Sequence, residues 1–441
     1  MIDFRARLLG AALAASLALA PAAPVLAREP AALPAASPES VGFSSERLKR
    51  LDAAMQQVVD DGRVAGMTTL LMRHGKVVEF RTYGKASLAA GQAMPKDEIF
   101  RIYSMSKPIT GVAMMILFEE GKWKLDDPVT KFIPELKDLK LMKIDGAGNQ
   151  TLVPLDRPPT MRELMSHTAG FGYGLNDKHP VDKMFRDKEV LASNGLQDMV
   201  DKVATIPLMF EPGTQWYYSV AVDLQGYIVQ KLSGEPLGQF MDEKIFKPLK
   251  MNDTGFVVPK SQISRLSPVY VGDPKTGKIE EAKQLFGYDL PDYTQPPRME
   301  SGGGGLLSTT TDYARFAQMI ANGGELDGVR ILSPATVELM GTNMIPDKVL
   351  VSSNGTVATS FNDAVGFGLD FAVVNDPRKA GTLQGKGTMS WGGAAGTWFW
   401  TDPTNDVVFV GMIQRLGGTG GEDLGTATRT LVYQALVDPK K

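Results

Sequence analysis

Phe100-Arg-Ile-Tyr-Ser-Met-Ser-Lys-Pro-Ile-Thr-Gly111 holds Ser104 and Lys107, the only Ser-x-x-Lys pair in the chain. Behind it, Ile109-Thr-Gly-Val-Ala-Met-Met-Ile-Leu-Phe118 is an apolar run ended by Glu119-Glu-Gly121. That reads as a buried helix with a glycine stop. Pro108 falls in its first turn, where a backbone N–H is not needed. A helix beginning near Ser104 puts Ser104 and Lys107 on one face. An amine beside a hydroxyl, close to a positive helix N-terminus, suits an activated serine nucleophile. In isolation, the pair reads as a capping serine followed by a surface lysine, so the rest of the chain has to decide.

Working outward, the 441 residues are 43% hydrophobic and 22% charged, ordinary globular values. Length alone suggests two or three domains. A net charge of −3, with no Lys/Arg run, argues against nucleic acid or anionic lipid as partner. With no cysteine, disulfides, a thiol nucleophile and thiolate metal sites are excluded. The N-terminus has the pattern of a signal peptide, residues 1–27: Arg5 and Arg7, an apolar stretch from Leu8 to Ala23, then Val25-Leu-Ala27 as a cleavage site. Pro21 and Pro24 and the short apolar length disfavour a membrane anchor. The expected mature protein begins near Arg28, is periplasmic or secreted, and has no membrane partner after cleavage.

Residues 28–43 read as a loose lead-in. Ser44 or Ser45 caps a helix with Leu48, Leu51, Met55 and Val58 inward. Met67–Met72 and Lys76–Tyr83 read as a hairpin turning at His74-Gly75. From Trp123 the texture becomes helical. Thr160 and Glu163 form a capping box, residues 171–210 suggest a mobile rim, and further helices run to Leu232 and from Leu237. A helix capped near Ser308 or Thr309 follows, then strands at Gly366–Val374, Thr397–Thr401 and Val407–Ile413, and a closing helix from Leu424 to Val437. The expected fold class is α/β of α+β type: an antiparallel sheet flanked by terminal helices, with a mostly helical second subdomain. The sheet subdomain spans about 44–122 and 261–437, and the helical one about 123–260.

Among the candidate chemistries, a Ser-His-Asp triad must use His74, His167 or His179. His74 is in a turn and His179 in a charged loop. His167, at a helix end, is expected to bond backbone carbonyls. No Gly-x-Ser-x-Gly elbow and no His-Glu-x-x-His occurs. No metal and no cofactor is expected. The Gly302–Gly305 run lacks a following Gly-Lys-Ser/Thr and reads as a flexible turn. A serine hydrolase without histidine can use a lysine as base where burial or charge lowers its pKa, or a tyrosine beside a cation. Lys107 and Tyr218 fill those places.

Ser104-Met-Ser-Lys107, Pro212-Gly-Thr-Gln-Trp-Tyr-Tyr218-Ser, Leu164-Met-Ser-His-Thr-Ala-Gly170 and Gly302-Gly-Gly-Gly-Leu-Leu-Ser-Thr309 occur in one order. So do Asp312-Tyr-Ala-Arg-Phe-Ala-Gln-Met319 and Gly323-Gly-Glu-Leu-Asp-Gly-Val-Arg-Ile-Leu-Ser-Pro334. Together they resemble the serine β-lactamase and penicillin-binding-protein superfamily, from about Ser44 to Val437. Within it the chain looks most like class C β-lactamases and family VIII carboxylesterases. The family's Tyr-x-Asn is here Tyr218-Ser-Val220, and valine cannot contact a β-lactam side-chain amide. The literal Lys275-Thr-Gly277 lies in a turn ahead of the glycine run and is rejected as the third motif. Trp391-Gly-Gly393, followed by Ala394, is the better match and resembles the esterase branch. Trp391 offers an apolar face where a lysine would attract a carboxylate.

The resemblance implies a serine hydrolase acting through an acyl-enzyme. Ser104 would be the nucleophile. Lys107 and Tyr218 would share the proton work, with the primary base left open. Backbone N–H groups of Ser104 and Ala394 would form the oxyanion hole, with Trp391, Gly392, Gly393 and Ala394 facing substrate. The leading function is a carboxylesterase on short-acyl or small aromatic esters. A β-lactamase or D-alanyl-D-alanine peptidase, and a non-catalytic penicillin-binding-like sensor, are the alternatives. The partner is a small-molecule ester, or a β-lactam or peptide. Oligomeric state is not set by the sequence.

Overall fold

In the computed structural model, the described residues are 33–441 apart from 274–277, 286–287, 347–348, 352–360, 362–363 and 419–422. The predicted signal peptide and the rejected Lys275-Thr-Gly277 lie outside them.

Helix α1 (Ser45–Asp60) is capped by Ser44, whose side chain accepts from the Arg47 N–H. It leads into the hairpin of β1 (Gly66–Arg73) and β2 (Lys76–Ser87), and the short β3 (Gln92–Ala93). Helix α2 (Ser106–Glu119) follows. Helices α3 (Met161–Met165), α4 (Ala221–Ser233) and α5 (Thr310–Ala321) come next. The remaining sheet strands are β4 (Val365–Phe367), β5 (Ala372–Val374), β6 (Met389–Gly392), β7 (Trp398–Asp402) and β8 (Val407–Met412), and α6 (Leu424–Tyr433) closes the chain. These strands form one antiparallel eight-stranded sheet in the order β4-β5-β6-β7-β8-β1-β2-β3.

Both faces of that sheet are covered. Met67 and Leu71 of β1, Trp398 and Trp400 of β7, and Val407 and Phe409 of β8 pack under α1 and α6. The alternate residues Leu70, Met72, Phe399, Val408 and Val410 join a larger core with α2, α4 and α5. This is the period of two that a strand imposes. Because each face has its own layer, β1 and β8 are buried along their whole length. α2 is buried on nearly every side, which explains its continuous apolar sequence.

Several expectations are corrected. Residues 33–43 are not a loose lead-in: Ala36 N–H bonds Val77 O at 2.9 Å and Phe43 is buried. The expected strand Gly366–Val374 is a tight hairpin of β4 and β5, because Asp370 turns with φ 65°. The mostly helical stretch after Trp123 contains an unexpected antiparallel hairpin, Lys140–Ile144 with Gln150–Pro154. Its residues are largely exposed, so no alternating pattern marked it. The final helix stops at Tyr433 rather than Val437. Residues 171–210 are not a loose rim. Asp182, fully buried, accepts from the N–H groups of Tyr173, Gly174 and Asn176, each at 2.8 Å, and from the Tyr217 hydroxyl at 2.6 Å.

Candidate active site

A short strand, Ile99–Arg101, pairs with Leu307–Thr309 and delivers the chain to a 3-10 turn, Tyr103–Met105. Ser104 therefore stands just ahead of α2 rather than within it. Tyr103 takes φ 40°, a left-handed conformation worth about 1–3 kcal/mol of strain for a non-glycine residue. Lys107, the second residue of α2, is 1% exposed. Its Nζ lies 3.4 Å from Ser104 Oγ and donates to Gly303 O at 2.6 Å. It also sits over the rings of Tyr218, at 4.4 Å, and Tyr173, at 5.2 Å.

The glycine run is a fitted part of this site, correcting the flexible-turn expectation. Gly303 presents its carbonyl to Lys107 and its N–H to Asp223 Oδ1 at 3.2 Å. Ser301 Oγ donates to the same Asp223 oxygen. A Cβ on Gly303 would stand 2.6 Å from Asp223 Oδ2, and one on Gly302 2.8 Å from Val222 O. Glycine is required here for close backbone approach. Burial raises the pKa of Asp223, with the Lys107 charge, Ser301 and the Gly303 N–H pulling it down. Burial likewise holds Asp370 well above the usual carboxylate range, against Gln225 and Lys107.

Tyr218 donates its hydroxyl to Ser104 Oγ at 2.6 Å. Its register is fixed from both sides: Tyr217 N–H bonds His167 O, and Val220 N–H bonds Gly172 O, each at 3.0 Å. Tyr217 itself turns away to Asp182. His167 is buried with its ring 5.1 Å from that of Tyr218, and its Nδ1 lies 3.0 Å from Ser219 Oγ. It bonds a side-chain hydroxyl, not the backbone carbonyl expected. Burial first and the Lys107 charge second push its pKa well below the ordinary value, so the ring is neutral. His74 lies in the hairpin turn with φ 52°, and His179 caps the helix Pro180–Asp187. Among the described residues no histidine bonds Ser104.

Across the cleft, β6 carries Trp391 and Gly392, and Gly393 turns the chain against the nucleophile strand. A Cβ on Gly393 would lie 2.4 Å from Ile102 O. Among the described residues, the N–H groups of Ser104 and Ala394 have no protein acceptor. Trp391 stands 5.7 Å from the Tyr218 ring and 5.2 Å from Phe367. Trp216, Phe361 and Phe367 complete an aromatic wall behind Tyr218.

The sequence profile of the Beta-lactamase family matches residues 51–434. The chain belongs to the beta-lactamase family. Esterase EstB of Burkholderia gladioli is 31% identical over 83% of this chain and 91% of its own length. An uncharacterised protein of Mycobacterium tuberculosis is 35% identical over 82% of this chain and 88% of its own length. Among solved structures, EstCE1, described as a hydrolase with promiscuous acyltransferase activity, superposes with a TM-score of 0.73 at 27% identity, covering 88% of this chain and 99% of that one. This beta-lactamase-family protein is a serine hydrolase with esterase relatives, on the expected fold.

In this beta-lactamase-family site Ser104, Lys107 and Tyr218 converge, and the Trp391–Ala394 segment lies against the nucleophile strand. Asp223, Gly303, Tyr173, Phe361 and Phe367 were not anticipated as site residues. Asp223 falls in the first turn of α4, where an acid is ordinary dipole chemistry, so its grip on the glycine run left no separate signal.

Proposed function

We propose that the protein is a carboxylesterase for short-acyl or small aromatic esters, with Ser104 as nucleophile. The observation that carries this is the wall opposite Ser104. Trp391 packs against Tyr218 and Phe367 where recognition of an anionic β-lactam would call for a cation. Val220, in the place of the family's asparagine, is fully buried, so no side-chain amide reaches the cleft from there.

Tyr218, its oxygen 2.6 Å from Ser104 Oγ and its ring under Lys107 Nζ, is the base in direct reach of Ser104, and it acts once its hydroxyl proton has left. Ser104 gives its proton to Tyr218 O as Oγ bonds the ester carbonyl carbon. The N–H groups of Ser104 and Ala394 receive the developing oxyanion, a contribution typically of about 10²–10³ in rate per donor. The carbon–alkoxide bond breaks, Tyr218 protonates the alkoxide, and the alcohol leaves an acyl-Ser104. Water then gives a proton to Tyr218, attacks the acyl carbon and frees the acid, and Ser104 Oγ recovers a proton.

Comparison of kcat/KM for p-nitrophenyl butyrate and a chromogenic cephalosporin tests the reading. The ester should be turned over far more efficiently. A cephalosporin preference would move the protein to the β-lactamase alternative. The reading extends to export: residues 1–27 are removed, and N-terminal sequencing of protein from the periplasm or medium should begin near Arg28. An intact N-terminus there would contradict it.

A further inference from the structure

As an ammonium, Lys107 Nζ has three protons to place. One goes to Gly303 O at 2.6 Å, and Ser104 Oγ lies 3.4 Å away. The remaining side is aromatic. The ring centroids of Tyr218 and Tyr173 lie 4.4 and 5.2 Å from the same nitrogen. Both are within the roughly 6 Å over which a ring face attracts a cation. The two rings stand 5.6 Å apart at 88°, the edge-to-face arrangement that aromatic pairs prefer. The rings of His167, Trp216 and Trp391 also flank Tyr218. Among the described residues, only Tyr173 both packs on Tyr218 and meets Lys107 Nζ.

The backbone holds Tyr173 in this place. Its N–H, with those of Gly174 and Asn176, donates to the buried Asp182 carboxylate. One residue earlier, Gly172 O accepts the Val220 N–H at 3.0 Å, which ties this segment to the one that carries Tyr218. A Cβ on Gly172 would lie 2.6 Å from Asp182 Oδ1, so glycine is required for that close approach. Among the described residues the Tyr173 hydroxyl bonds no protein group. Burial first, then Asp223 and Tyr218, hold its pKa well above the ordinary value, so it keeps its proton. The fold therefore sets the ring of Tyr173, rather than its hydroxyl, against the reacting groups.

We propose that Tyr173 is a positioning residue for acyl transfer: its ring closes, with that of Tyr218, an aromatic cage that holds Lys107 Nζ beside Ser104. This rests on the reading of Ser104 as the nucleophile. Without the Tyr173 ring, Nζ keeps the Gly303 carbonyl but loses one wall. Tyr218 loses the neighbour that fixes its ring from the edge. Acyl transfer tolerates little such play, because small displacements of reacting groups cost rate. In this role Tyr173 takes no proton and touches no reacting atom, so its loss acts on the nucleophile and not on substrate affinity.

Rates of Ser104 labelling by p-nitrophenyl methylphosphonate and butylphosphonate test this whatever the natural substrate. Tyr173→Phe keeps the ring and should label at close to the wild-type rate. Tyr173→Leu should label about tenfold more slowly, the size of one desolvated cation–π contact, and by the same factor with both reagents. Its kcat for p-nitrophenyl butyrate should fall while KM is unchanged. Where Tyr173→Leu fails to fold, Tyr173→Met removes the ring with a more adaptable side chain and should show the same loss. A wild-type rate in the ring-less variant would overturn the cage. So would a Tyr173→Phe as slow as Tyr173→Leu, or a loss confined to the butyl reagent, either of which would make Tyr173 a direct substrate contact. Each of these results leaves the Ser104 adduct in place. An adduct on another residue would instead sink the nucleophile reading and the cage with it.

Discussion

Tyr217 and Tyr218 are neighbours with opposite tasks. Tyr218 reaches Ser104, whereas Tyr217 binds the buried Asp182 carboxylate. Tyr218→Phe should lower kcat by about 10²–10⁴, the usual range for a general acid–base group, with little change in melting temperature. Tyr217→Phe should do the reverse. It removes a buried bond to a charged acceptor, costing about 1.5–3 kcal/mol of stability, with kcat much less affected. Steady-state kinetics and melting curves on both variants check the register. Gly303→Ala should lose activity more than Gly304→Ala, because its Cβ meets Asp223 whereas a Cβ on Gly304 comes no nearer than 3.9 Å to Tyr103. Equal activities would show that the Gly303 carbonyl does not position Lys107. That Ser104, Lys107 and Tyr218 come together was legible in sequence, because few residue types suit acyl transfer without histidine or cysteine. Gly303 and Asp223 were not, because their work depends on distances across the fold.

At the scale of elements, the sequence marked helix starts well where a side chain caps them. Ser44, Thr160 and Thr309 each accept the expected backbone N–H. It misplaced the start of α2, because residues three apart, such as Ser104 and Lys107, share a face whether the turn is 3-10 or α-helical. Asp312, in the first turn of α5, accepts from Asp253 N–H at 2.7 Å and Thr254 Oγ1 at 3.0 Å. Burial, the largest cause, pushes its pKa up to about 7, and burial with Asp97 takes Glu98 to about 8. Both are raised acids, so between about pH 4 and those values the folded chain holds protons that the unfolded chain has released. Stability should therefore fall as pH rises through that window. Melting temperatures across it should show this decline, shallower in Asp312→Asn, which keeps an oxygen for both donors. A slope unchanged in that variant would refute the Asp312 contribution.

Over the whole molecule, the segment ahead of α1 and the C-terminal tail are tied to the sheet by one buried side chain. Arg73, at the end of β1, donates to Val41 O at 2.8 Å, Asn405 O at 3.1 Å, Asp438 O at 3.2 Å and Pro439 O at 2.9 Å. Arg73→Met should cost about 1–3 kcal/mol, since the buried Val41 carbonyl loses its donor while the other three lie nearer solvent, and activity at low temperature should survive. The antiparallel sheet between terminal helices was legible from strand runs and amphipathic α1. The layering was not: β1 and β8 are apolar on both faces, so alternation could not say which residues face α1 and which α2. The site lies where those layers meet, with Ser104 from the inner layer and Trp391 from the sheet. The central claim is an acyl-enzyme on Ser104. Intact and peptide mass spectrometry after treatment with a p-nitrophenyl alkylphosphonate tests it most directly. A single adduct on the Ser104 peptide, absent in Ser104→Ala together with all esterase activity, is the predicted result. An adduct on Ser106 or Ser219, or activity surviving in Ser104→Ala, would contradict it.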